Sequence, residues 1–182
     1  MTFFRYLILL LLPLIFFSWI IYKDINPAGS LEIVYDWQKD QPEVSRLFPA
    51  DRLLDASGTG QTVINEPVYF TVRLPQTYET VRATVLYENL GDQEVKLGLQ
   101  QGGGDDWLYD LQTLTSGKPI EFNLKGATVS NRSIRFMITA PGLASPDKIL
   151  LLKKIEIKLQ KPVLHNFGEV WNLLVTKLPN VL

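Results

Sequence analysis

The 182-residue chain contains no cysteine, one histidine and two methionines. Without cysteine there are no disulfides, no thiolate metal ligands and no thiol nucleophile. A folded region must therefore be held by its apolar core alone. The single histidine, His165, has only Leu164 and Asn166 beside it, so no histidine cluster for a metal or a catalytic triad is written locally. The chain lacks an H-E-x-x-H zinc motif, a Walker loop, a dinucleotide fingerprint and a G-x-S-x-G elbow before a helix. Charge of one sign is not in excess either: 18 Lys and Arg stand against 19 Asp and Glu, a net charge of −1. That excludes the basic footprint that phosphate neutralisation needs, so nucleic acid is not an expected partner. A histidine-dependent or metal-dependent enzyme is not expected from this inventory.

What the chain does have is one long uncharged run. Tyr6–Tyr22 reads YLILLLLPLIFFSWIIY and is bracketed by Arg5 and Lys23. As a helix it would span roughly 26 Å, close to the ~30 Å hydrocarbon thickness of a bilayer. Phe3, Phe4, Tyr6, Trp19 and Tyr22 suit the interfaces, and Arg5 and Lys23 can snorkel. The expected organisation is a cytoplasmic tail at 1–5, a transmembrane anchor at 6–22, a linker at 23–30, a folded domain at 31–160 outside the cytoplasm, and a tail at 161–182. A cleaved signal peptide is the competing reading. Its small-residue site, Ala28-Gly29-Ser30, falls well beyond the apolar run.

Beyond the linker the apolar period changes to two. Val68, Phe70, Val72 and Leu74 alternate with polar neighbours, as do Val81, Ala83, Val85 and Tyr87, with Leu86 out of phase. Val95–Leu99, Ile120–Leu124, Ile134–Ile138 and Ile155–Leu159 repeat the pattern. Each run predicts a half-buried strand. Leu31–Trp37, Arg46–Leu53 and Trp107–Leu111 are further strand candidates, and Gly- and Pro-containing turns separate the runs. Many short strands without intervening helices predict an all-β antiparallel sandwich, with jelly-roll topology preferred over an immunoglobulin-like one. In the tail, Phe167, Val170, Trp171, Leu174 and Leu178 fall on one face of a short amphipathic helix. That face is a candidate docking surface for a partner in a membrane complex.

The candidate ligand residues are Trp37, Gln100, Trp107 and Tyr109. Sugar C–H faces stack on exposed aromatic rings, and side-chain amides take the hydroxyls. The competing reading buries Trp107 and Tyr109 in the core, because they share one face of a strand. Asp105 and Asp106 follow three glycines; a solvated loop is the plain reading, and a calcium site built on hard oxygen ligands is the sharper one. A carboxylate-pair glycosidase using these aspartates ranks last.

From Leu31 to Leu159 the chain resembles the jelly-roll superfamily of carbohydrate-binding and galactose-binding-like domains. The resemblance is carried by the strand Val68–Leu74, the pair Val81–Tyr87 and Val95–Leu99, and a final strand Ile149–Leu159. The whole chain is also similar to single-span membrane proteins of candidate-phylum bacteria, in which an apolar N-terminus precedes a segment like Glu66-Pro67-Val68-Tyr69-Phe70. The first resemblance implies a non-catalytic binding module for a glycan or protein ligand. It does not extend to that superfamily's calcium aspartate on the last strand, where this chain has Lys153-Lys154.

Overall fold

A computed structural model describes residues 11–15, 18, 30–37, 39–54, 60–91, 93–102, 108–143 and 148–161. Of the Tyr6–Tyr22 run, only Leu11–Ile15 and Ser18 fall among them, all helical and exposed. No helix among the described residues is long and apolar enough to cross a membrane. The remainder of the run, and the whole Phe167–Leu178 helix, lie outside the described residues.

Residues Ser30–Pro162 form one compact unit. Its described residues make nine strands: β1 (Ser30–Val34), β2 (Gln61–Val63), β3 (Val68–Arg73), β4 (Thr80–Leu90), β5 (Lys96–Gln101), β6 (Leu108–Thr113), β7 (Pro119–Asn123), β8 (Ser133–Thr139) and β9 (Ile149–Gln160). They form two antiparallel sheets. One runs β1-β9-β4-β7, with β2 also paired to β9; the other runs β3-β8-β5-β6. From β2 onward the chain changes sheet at every connection except β5 to β6. This crossing order is that of a jelly roll rather than an immunoglobulin-like sandwich.

The core lies between the sheets and follows from the period-two pattern. Val68, Phe70, Val72, Ile134, Phe136, Ile138, Leu97 and Leu99 point inward from one sheet. Val81, Ala83, Val85, Phe122, Ile155, Ile157 and Leu159 meet them from the other. Phe136 sits at the aromatic centre, stacked on Phe70 at 5.1 Å between ring centroids and edge-on to Phe122 at 6.1 Å. No polar or charged side chain is buried among the described residues, so the interior carries no ionic desolvation cost.

Two departures from the sequence expectation have local causes. Arg46–Leu53 is not a strand. It makes isolated bridges, Phe48 with Tyr69 and Leu53 with Val63, around a 3-10 turn at Ala50–Arg52. Pro49 has no N–H to continue a ladder. Leu86 keeps the outward phase of β4, and beside it the β4–β9 register slips: Leu86 faces Lys154, but Tyr87 faces Leu152. Lys153 is thus the extra residue of a β-bulge. Leu86 itself stands on the outer face and is 42% exposed.

Candidate ligand face

Strand alternation gives each sheet an outer face, and the two differ in chemistry. Across the five-stranded sheet, Glu32 lies beside Lys158, Lys158 beside Arg82, and Arg82 beside Glu121. Arg82 Nη2 donates to Glu121 Oε2 at 2.9 Å. The Arg82–Glu121 ion pair is exposed and worth about 0–1 kcal/mol, and Lys158 and Arg82 stand side by side as like charges on a solvated face.

The four-stranded sheet presents a different row. Tyr69 lies beside Met137, Met137 beside Gly98, and Gly98 beside Leu111. Next to it run Thr71 beside Arg135, and Gln100 beside Tyr109. Tyr69 and Tyr109 sit on the two outermost strands, whose backbones are separated by about 14 Å at ~4.8 Å per strand. Their ring centroids are nevertheless only 6.2 Å apart, with the planes inclined at 39°. Gly98 makes this possible. A Cβ there would stand 2.8 Å from Leu111 Cδ2, 3.1 Å from Tyr109 Cβ and 3.3 Å from Tyr109 Cδ1. With no side chain on β5, Tyr109 and Leu111 lie down across the sheet. A glycine inside a strand marks such a close approach.

Phe48 extends the row. Its ring stacks on Tyr69 at 5.6 Å and 29°, and the Arg135 guanidinium lies 5.8 Å above it, within cation–π range. Phe48, Tyr69, Tyr109, Arg135 and Gln100 are all half-buried, so each keeps surface for a ligand. The Tyr109 Oη is cut off from solvent and makes no well-formed hydrogen bond. Burial first, then Tyr69, pushes its pKa above the ordinary tyrosine range, while the neighbouring Arg135 charge acts the other way. The hydroxyl is therefore a neutral donor at physiological pH. At the rim, Glu94 accepts from Thr113 Oγ1 at 2.7 Å and pairs with Lys96 at 2.9 Å. The Thr113 hydrogen bond first, and Lys96 second, hold its carboxyl below the usual range.

Of the sequence-derived candidates, Gln100 and Tyr109 are register partners on this face, and Tyr109 does not enter the core. Trp37 does not join them. It packs against the core on the side of the five-stranded sheet, 4.7 Å from the Tyr35 ring, and its Nε1 donates to the Lys153 carbonyl at 3.0 Å. Lys153 is the bulged residue, whose carbonyl the β4 ladder does not use. Trp37→Phe should therefore cost about 1–2 kcal/mol through the orphaned carbonyl, read as a lowered urea midpoint with ligand binding unchanged. Trp107, Asp105, Asp106, Phe167, Val170, Trp171, Leu174, Leu178 and His165 lie outside the described residues. Among the described residues no three His, Cys, Asp or Glu side chains gather as a metal site.

Tyr69, Phe48, Arg135 and Gly98 were not singled out in the sequence. Tyr69 carries a readable signal, being an aromatic at the outward phase of Val68-Tyr69-Phe70-Thr71-Val72. Gly98 carries another, as a glycine between two core leucines. Phe48 carries none, because it reaches the sheet from an irregular segment.

No family model matches the chain. No curated protein matches it either. Among solved structures it is similar to carbohydrate-binding modules. One is the xylan-binding module CBM15, at 17% identity and a TM-score of 0.41 over 74% of this chain and 100% of that one. Another is CBM86, a low affinity xylan binding module from Roseburia intestinalis, at 16% identity and a TM-score of 0.34 over 63% of this chain and 93% of that one. A third is CBM61, solved in complex with β-1,4-galactotriose, at 16% identity and a TM-score of 0.31 over 69% of this chain and 86% of that one.

Proposed function

We propose that the chain is a non-catalytic glycan-binding module, and that its ligand lies across the outer face of the four-stranded sheet. The observation that carries this reading is the approach of the Tyr69 and Tyr109 rings, with Tyr109 lying against Gly98. Polar groups stand beside these rings: the Gln100 amide and the Arg135 guanidinium. Apolar ring faces with flanking donors suit a sugar, whose C–H face is apolar and whose edge is hydroxylated. Successive rings in the row are inclined at 29° and 39° rather than coplanar. Such a bent surface fits a single soluble polysaccharide chain that twists along its length, and it fits the flat face of a crystalline polymer poorly.

The test is a titration of the purified chain against a panel of soluble polysaccharides, alongside pull-down on crystalline cellulose and chitin. Saturable binding is expected in the first set and none in the second. Tyr69→Ala should weaken it on the order of thirtyfold, about 2 kcal/mol, as for a central aromatic anchor. A folded Tyr69→Ala chain that binds like the parent would remove the site from this face.

The same reading places the module outside the cytoplasm, held by the uncharged run Tyr6–Tyr22 with Arg5 and Lys23 at its ends. Calcium at Asp105 and Asp106 is not required by it. The chain should remain in the membrane pellet after alkaline carbonate extraction. Release into the supernatant would favour cleavage or a peripheral attachment.

A further inference from the structure

The edges of the two sheets are not treated alike. The free side of β3 is covered by 43–48: Ser45 N donates to the Thr71 carbonyl at 2.9 Å, and Tyr69 and Phe48 exchange bonds at 2.7 and 2.9 Å. The free side of β2 is covered by Arg52–Leu54, with Leu54 N on Thr62 O at 3.0 Å and Ile64 N on Arg52 O at 2.9 Å. On β1 the Val34 carbonyl accepts from Gln41 Nε2 at 2.9 Å. β7 begins with a proline, and its Glu121 carbonyl accepts from Gln112 Nε2 at 3.0 Å. Strand β6, LYDLQT, has no covering segment, proline or bulge among the described residues. It also exposes two leucines, Leu108 at 61% and Leu111 at 46%. An open, apolar edge of this kind is a template for another strand.

Its hydrogen-bonding phase is fixed by one contact. Leu114 N donates to the Val95 carbonyl at 2.8 Å, one step beyond the Thr113–Lys96 pair. In an antiparallel ladder bonded pairs alternate with non-bonded ones. Leu108, Asp110 and Gln112 therefore bond inward to β5, while Tyr109, Leu111 and Thr113 point their N–H and C=O groups out of the sheet.

We infer that this edge pairs with β6 of a second copy of the chain, antiparallel and centred on Leu111. A two-fold axis normal to the sheet must pass through a residue, so that outward side chains meet outward side chains. Centring on Asp110 would set two carboxylates directly opposite, which is destabilising. Centring on Leu111 sets Leu111 against Leu111, Asp110 of each copy against Gln112 of the other, and Tyr109 against Thr113. All three outward-pointing residues then exchange both backbone bonds, and each aspartate faces a neutral glutamine rather than a second carboxylate. The strand is thus self-complementary in apolar contact and hydrogen-bonding phase in one register, and that register keeps the carboxylates apart. An isologous contact of this type closes on itself as a dimer. Both Tyr69–Tyr109 rows would lie on the same side of the joined sheet; that consequence rests on the glycan reading, while the pairing does not.

The test uses the full chain in detergent and in membranes. Sedimentation should give a dimer; a monomer at all concentrations overturns the inference. The chain has no native cysteine, so Leu111→Cys and Leu108→Cys each offer a single thiol. Mild oxidation should link the Leu111→Cys chain into a dimer. It should leave the Leu108→Cys chain monomeric although Leu108 is the more exposed, since its two copies would stand about 20 Å apart in this register. Equal linkage of both variants, or of neither, overturns the register. The reduced Leu111→Cys chain should sediment as the parent does. Loss of polysaccharide binding in every chain alongside selective linkage at Leu111 would discard the glycan reading and keep the dimer.

Discussion

Replacing Phe136 by alanine should lower the unfolding free energy by about 3–5 kcal/mol, against the ~5–15 kcal/mol of a typical domain. Phe136 is fully buried on β8 and is the ring on which the two sheets meet, through Phe70 in its own sheet and Phe122 in the other. The loss has two parts: the transfer free energy of the ring, and the cavity left among strands that cannot close over it. Neighbours on β8 are held by ladders on both sides, to β3 and to β5, so collapse into the space is limited. Phe136→Leu, which keeps most of the volume, should cost well under half as much. Urea unfolding of the purified chain followed by tryptophan fluorescence reads both. With no disulfide, metal site or buried ion pair among the described residues to share the load, a Phe136→Ala cost near 1 kcal/mol would contradict the packing described.

The sandwich is legible in the sequence because its strands are half-buried and each writes its burial as an alternation. Where a tertiary demand overrides the alternation, reading fails in a definite way. The inward residues of β9 step by two from Leu150 to Leu152, by three across Lys153 to Ile155, and by two again to Leu159. No local rule marks Lys153 as the bulge, and the indole that satisfies its carbonyl, Trp37, is 116 residues away in the chain. That is why Trp37 reads as a ligand platform from sequence and stands in the structure as a brace. Strand β2 is silent in the sequence for a simpler reason: three residues, Gln61–Val63, are too few to show a period. Phe48–Pro49 looked strand-like because apolar residues flank it, yet its backbone only touches the sheet at single bridges.

The ligand face was legible only in halves. Gln100 and Tyr109 read as ligand candidates by their chemistry, an amide and an aromatic ring, and their pairing across β5 and β6 is what brings them together. Tyr69 reaches the same place from the far edge of the sheet, forty positions from Tyr109 in chain order. Proximity of that kind depends on strand order, and alternation within a strand carries no information about strand order. The contrast between the outer faces makes the same point. The charge ladder Glu32–Lys158–Arg82–Glu121 draws on four strands spread over most of the domain, and none of its members is distinctive in its own segment.

The sharpest test of the face is at Gly98, where Gly98→Val should abolish most polysaccharide binding in a chain that still folds. Valine is a good strand former, and β5 keeps its partners on both sides. The atoms a new side chain meets first are Leu111 Cδ2 at 2.8 Å, Tyr109 Cβ at 3.1 Å and the Tyr109 ring at 3.3 Å from the Cβ alone. Those are side chains on the edge strand, one of them 46% exposed, and they can swing outward. The stability cost should therefore stay within the ~1–3 kcal/mol of overpacking. The binding cost follows from the displacement. Tyr109 can no longer lie across β5, its ring parts from Tyr69, and its hydroxyl leaves the shelter beside Arg135. Losing one of two adjoining rings as a platform should weaken binding on the order of tenfold or more. Gly98→Ala, whose added methyl presses chiefly on the end of Leu111, should fall between the parent and Gly98→Val. Titration of all three chains, with far-ultraviolet circular dichroism to confirm the sheet, decides the matter: undiminished binding by a folded Gly98→Val chain would mean that the ligand does not use the Tyr69–Tyr109 row.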